Sequence, residues 1–208
     1  FTTLFQIGEA FVILLAGLPL AVWLDLRNLT ESALRRQATD LNSVVTSMRS
    51  FYATNVVARV LASAGTTQVT HNYESIPGAI PIPATLSLEL GRVISEKQQN
   101  IVYRFVSDHP FRNRKPHALD DFEVAALRTL RADPTRVITE VKESLFSDRV
   151  RLIAPVIMGA ACVSCHNSHV ESVKKDWKVG DVRGLQEVSI TQPFADNLFS
   201  FKYLLIYF

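Results

Sequence analysis

In Cys162-Val-Ser-Cys165-His166, residue types and spacing together point to one chemistry. Two thiols three positions apart stand on one helical turn, and an imidazole follows directly. This is the spacing of c-type haem attachment: each thiol adds to one vinyl group, and the histidine faces the iron as proximal ligand. Covalent attachment retains a cofactor that a small domain could otherwise lose. Other readings compete. Zinc on Cys162, Cys165, His166 and His169 has suitable donor types but crowds them. A thioredoxin-like CxxC opens a helix after a strand in a βαβ unit, which this context lacks. The pair could also be two inert thiols.

Candidates for the rest of a haem site are scattered. Met48, on the apolar stripe of a long helix, offers a thioether as sixth ligand, against the alternative of a core methionine filling a gap. His71, ahead of a proline-rich turn, is the other candidate, and water or an empty position stays open. Arg112 and Arg114, in PFRNR, suit planar propionates, although a solvated loop accounts for them too. Trp177 either packs on the porphyrin edge or seals the core beneath its loop. Tyr103 and Arg104 share a strand and point to opposite faces, so at most one lines the pocket. His109, His117 and His169 read as loop residues.

The elements that must position these residues are legible in outline. Asp25 to Ala64 contains neither Gly nor Pro and ends at Gly65, which predicts one long helix. Leu41, Val45, Met48, Tyr52, Val56 and Val60 follow each other at spacings of three and four along it. Pro77, Pro81 and Pro83 impose extended backbone before a helix over 84–99. Ile101–Val106 reads as a strand, and Asp120-Asp121-Phe122-Glu123 opens a helix that runs to Arg131. Residues 136–146, 149–158 and 183–191 read as three more strands, so the fold class is α+β with a late antiparallel meander.

Composition narrows the rest. The 208 residues suffice for one globular domain with appendages, and two cysteines exclude both a disulfide framework and a four-thiolate metal site. Twenty-two Lys and Arg against 20 Asp and Glu leave a charge of +2, too balanced for a nucleic-acid surface. Hydrophobic residues make up 48%, mean hydropathy is +0.14, and the excess lies at the ends. Residues 1–24 are expected as a transmembrane helix and 194–208 as the start of a second span or an interfacial tail. Between them, 25–65 form the long signalling-type helix and 66–193 the haem domain. Haem attachment requires the bacterial periplasm or an equivalent space, which puts the domain on that side of the inner membrane.

Residues 162–191, CVSCHNSHVESVKKDWKVGDVRGLQEVSIT, resemble the haem-binding end of a bacterial PAS-like, c-type haem sensor domain. IPIPATLSLEL, YRFVSDHPFRN and LDDFEVAAL resemble its upstream segments in the same order, so the likeness spans about residues 45–191. The resemblance implies a PAS-like antiparallel sheet, a long N-terminal helix, one haem c between them, and a place between two membrane helices. Family members often precede adenylate or guanylate cyclase, histidine kinase or diguanylate cyclase modules, of which the 208 residues themselves carry none. Some relatives use a cysteine on the long helix as iron ligand, whereas both thiols here belong to the attachment motif. The expectation is a non-enzymatic sensor of redox state or a diatomic gas, dimeric through the long helix or part of a larger membrane complex. The alternative is a monohaem electron-transfer cytochrome or accessory haem subunit.

Overall fold

The computed structural model describes residues 2–63, 65–112, 114, 117–144 and 147–193, with side chains from Gly17 onward apart from Pro19, Glu143 and Pro193. Uninterrupted helix-compatible sequence gives α1, Thr2–Phe51, which continues through a π-helical turn, Tyr52–Val57, into α2, Ala58–Ala62. Leu34, Ala38 and Val45, with Leu41 beside them, pack on Ile101, Tyr103, Val150, Leu152, Val188 and Ile190. A π turn holds one residue more than an α turn, so the inward stripe shifts by one position. Val57, not the expected Val56, is buried; ahead of the π turn, Arg49, four positions after Val45, turns toward the sheet and Met48 does not.

The rest follows the punctuation of the chain. A two-residue parallel pair, β1 (Val69–Thr70) with β2 (Ile80–Pro81), brackets the first proline turn. Pro83 occupies the start of α3, Pro83–Lys97, where a missing N–H costs nothing. Strand β3 is Ile101–Val106, as expected. Helix α4, Asp121–Ala132, opens on a full capping box, in which Asp120 Oδ1 accepts from the Glu123 N–H and Glu123 Oε2 from the Asp120 N–H. Then come β4 (Ile138–Glu143), β5 (Ser147–Ile157), α5 (Ala160–Ser168) and β6 (Val182–Pro193). The four long strands form one antiparallel sheet in the order β3-β6-β5-β4, which with the helices fits the expected α+β class.

Strand alternation divides the sheet's two faces between the helices. Ile101, Tyr103, Val150, Leu152, Val188 and Ile190 meet α1 and α3. Val106, Ile153 and Leu185 meet Ala126, Leu127 and Leu130 of α4. Close packing on the first face needs Gly91, because a Cβ there would stand 2.1 Å from Tyr103 Cδ1. On the α4 face, Arg151, Glu187 and Glu123 are buried as an ion cluster, with Arg104 bridging the two glutamates.

Among the described residues no helix is long and apolar enough to cross a membrane, so the expected span over 1–24 is not supported. Described side chains begin at Gly17, and charged Asp25 and Arg27 follow within eleven positions. The expected segment at 194–208 lies outside the described residues.

Candidate haem-attachment site

Helix α5 follows β5 after Met158-Gly159, at the end of the sheet where β3 also stops and β6 begins. It presents Cys162 and Cys165 one turn apart as free, exposed thiols. Desolvation and the Cys162 sulfur beside it hold the Cys165 pKa above the ordinary thiol value. Among the described residues no three His, Cys, Asp or Glu side chains converge on a metal-sized point, so the crowded zinc set of the sequence is not assembled.

His166, next in the chain, is partly buried and stacks on Phe111 with ring centroids 4.8 Å apart. Phe111 also lies 5.1 Å from the ring of His169, and His71 meets His169 edge-on at 6.4 Å. On the other side Arg183 Nε donates to His166 Nδ1 at 3.1 Å. Burial, then the Arg183 charge, then His169 push the His166 pKa down to about 4. The ring is therefore neutral at physiological pH, the form in which imidazole binds iron. Because Nδ1 accepts from Arg183, the ring proton sits on Nε2. Coordination through Nε2 needs that proton on Nδ1, so Arg183 has to release its contact when a metal is engaged.

Arg183 reaches this position through a β-bulge. Val156 pairs with Gly184 and Ile157 with Val182, which leaves Arg183 as the extra residue of β6 and re-aims its side chain. Its guanidinium also donates to Ser107 Oγ and, at 2.6 Å, to the His109 carbonyl, and lies 5.3 Å from the Trp177 ring. Gly184 makes the crossing feasible, since a Cβ there would come 2.6 Å from the Val106 carbonyl oxygen. Trp177 is 4% exposed and meets His109 edge-on, so it lies beside the site and seals its loop. Asn167 fastens that loop to α5: its Nδ2 donates to the Trp177 carbonyl at 2.9 Å and its Oδ1 accepts from the Trp177 N–H at 3.0 Å.

Several expected residues fall elsewhere. Arg112 and Arg114 are both exposed, while Phe111 takes the inward position. Met48 is 46% exposed, outside the stripe that packs on the sheet. His71 does reach the edge of the site, through His169. His109 hydrogen-bonds Asp108, His117 meets Glu123, and His169 accepts from the Glu171 N–H, as loop residues do. Phe111, Asn167, Arg183 and Arg49 carry no local sequence signal. Their places follow from a bulge and from contacts between distant segments.

An α+β domain with an attachment-type Cys-x-x-Cys-His helix at the end of its sheet is the class that fold and site define. The chain belongs to the Tll0287-like family, whose profile matches residues 27–191. Among solved structures, that of the cyanobacterial haem-protein Tll0287 aligns over 74% of this chain and 96% of its own, with 17% identity and a TM-score of 0.48. A search of curated proteins finds no match.

Proposed function

We propose that this chain is a monohaem c-type protein in which Cys162 and Cys165 become thioethers and His166 is the axial base. The observation that carries the reading is the geometry of α5: two exposed thiols on one turn beside an imidazole that is sheltered by Phe111 and neutral. The member that gives the family its name is described as a cyanobacterial haem protein, in line with this reading. Each thiol adds across a vinyl C=C, its sulfur bonding one carbon and its hydrogen going to the other, with no net oxidation. Free thiols are the form this addition needs. Bound haem supplies one-electron redox chemistry and an iron position for a sixth ligand.

The role that fits is non-enzymatic sensing of redox state or of a diatomic ligand. A ligand shifts such a domain only through differential affinity for two states, and exchange at the sixth position is the natural switch. Helix α1 packs on the sheet whose end carries the site, which gives a change there a rigid element to act on. The apolar composition of 1–24 supports tethering at a bacterial inner membrane, with the haem domain in the periplasm. Exposed Val44, Met48 and Phe51 on α1 support pairing with a second copy, with a larger membrane complex as the alternative partner. Electron transfer is the second reading, favoured by the exposure of both thiols, which puts the attachment edge at the surface.

The test is the absorption spectrum of protein matured with haem-attachment machinery, oxidised, reduced, and reduced under CO. Haem that survives denaturing electrophoresis, and is lost in Cys162→Ala/Cys165→Ala, establishes attachment; its absence overturns the reading. A band that moves under CO supports sensing, and an indifferent band supports electron transfer.

A further inference from the structure

Arg49 is a partly buried cation with no ion pair among the described residues. Its Nη1 donates to the neutral Gln186 Oε1 at 2.7 Å, and its guanidinium lies 5.4 Å from the Phe105 ring centroid. The Gln186 amide is fixed in this sense from α1. Its Nε2 donates to Asn42 Oδ1 at 2.6 Å and to Thr46 Oγ1 at 3.1 Å, so Oε1 has to face Arg49. Desolvation lowers the Arg49 pKa, and the acidic groups that offset it are the Tyr103 phenol and the Cys162 thiol. Burial holds the Tyr103 phenol well above its ordinary range, so it supplies no negative charge at neutral pH.

Tyr103 adds an independent sign of a missing partner. It is 6% exposed, its ring is pressed on Gly91, and its hydroxyl has no hydrogen-bond partner among the described residues. Ser87, on α3, donates its hydroxyl hydrogen to the Pro83 carbonyl at 3.1 Å. A buried phenol without an acceptor and a partly buried guanidinium without an anion each carry a cost, and the edge-on Tyr103 and Phe105 rings place the phenol beside the guanidinium. One carboxylate would relieve both. Haem attached at Cys162 brings two, at the end of the sheet where Phe105, next to last in β3, and Gln186 hold Arg49. Arg183, also partly buried, keeps Ser107 Oγ and the His109 carbonyl when it releases the His166 ring, and Arg112 and Arg114 are exposed.

We propose that Arg49, aligned by Gln186 and assisted by the Tyr103 hydroxyl, receives a propionate carboxylate of the haem held by Cys162 and Cys165, a site that rests on the haem reading above. Arg49 thereby joins α1 to the cofactor by a charge-assisted hydrogen bond and sets a positive charge beside the porphyrin.

The experiment uses holoprotein matured with haem-attachment machinery, in wild type, Arg49→Met, Arg49→Lys, Tyr103→Phe and the double control Arg112→Gln/Arg114→Gln. Haem staining after denaturation checks attachment; resonance Raman of the propionate bending mode and the reduction potential check the contact. All variants should retain covalent haem. In Arg49→Met the propionate band should shift and the potential fall, with Arg49→Lys restoring part of each. Tyr103→Phe should shift the band alone, and the double control should match wild type. Attached haem with wild-type band and potential in Arg49→Met overturns the proposal while leaving the haem reading standing. If Arg49→Met does not accumulate, an unchanged band in Tyr103→Phe overturns it equally. No covalent haem in wild type removes both.

Discussion

Replacing Arg151 by Met should cost about 3 kcal/mol of stability, because it strands carboxylates that water cannot reach. The Arg151 side chain is 3% exposed and grips Glu187 with two contacts, Nε to Oε1 at 3.0 Å and Nη2 to Oε2 at 3.1 Å. Nη2 also meets Glu123 Oε1 at 3.4 Å, and Nη1 meets Asp120 Oδ2 at 2.8 Å and Glu140 Oε2 at 3.2 Å. Glu187 and Glu123 are 1% and 0% exposed, whereas Asp120 and Glu140 reach solvent. The two exposed contacts are screened and contribute about 0–1 kcal/mol each at most. Removing one partner of a buried pair costs about 3–5 kcal/mol. Arg104 Nη2 still bridges Glu123 Oε1 at 2.7 Å and Glu187 Oε2 at 3.1 Å, which sets the value near the lower end.

The pH dependence has a definite sign. Burial pushes the Glu187 carboxyl up, but the Arg151 hydrogen bonds and the two guanidinium charges outweigh it and hold its pKa below the ordinary value. Its stabilisation is therefore present above the unfolded pKa, about 4.5, and is lost as pH falls through the folded value. Without Arg151 the carboxyl takes up a proton at higher pH, so the difference between wild type and variant should shrink as pH drops from about 7 to about 4. Urea unfolding followed by far-UV circular dichroism at the two pH values measures it, and adding Glu187→Gln should recover part of the loss. A penalty under about 1 kcal/mol near neutral pH, or one that grows on acidification, would refute the reasoning.

Three further outcomes are expected. Gly184→Ala sets a Cβ 2.6 Å from the Val106 carbonyl and 3.0 Å from Ser107 Cβ, so the strands must part at the bulge; a loss of about 1–3 kcal/mol should appear as a lowered Tm, and an unchanged Tm speaks against the close approach. Asn167→Ala deprives the Trp177 backbone of both partners, which should cost about 1–3 kcal/mol and speed amide hydrogen exchange over 169–181, and exchange at wild-type rates would exclude the clamp. In haem-free protein the His166 ring should titrate near 4 by NMR, and Arg183→Gln should raise that midpoint. Since the folded pKa lies below the unfolded 6.5, the folded state binds fewer protons and stability falls as pH drops from 6.5 toward 4. A midpoint at the ordinary histidine value would contradict the burial and charge that place it there.

Local chemistry made much of this protein legible in its sequence. The capping box at Asp120 and Glu123, Pro83 at the head of α3, and the alternation along β3 act within a few residues, so their spacing is their structure. The same holds for Cys162, Cys165 and His166, which need one helical turn to stand together. Side-chain direction along a long helix was harder. The π turn at Tyr52–Val57 changes the phase of the stripe, which buries Val57 in place of Val56, and Met48 stands to the side of the packed face.

What surrounds the motif belongs to the tertiary structure alone. Arg49 meets Gln186 across 137 positions, and Arg183 meets Ser107 across 76, because α1 lies over β6 and β3 ends beside the bulge. Arg112 and Arg114 looked suitable by charge, but charge says nothing of which way a loop turns, and the backbone there gives the inward place to Phe111. Sequence spacing determined the reactive trio because its geometry closes within one turn. The cations and rings that shelter it were decided by strand register and helix packing, which bring together residues that share no local pattern.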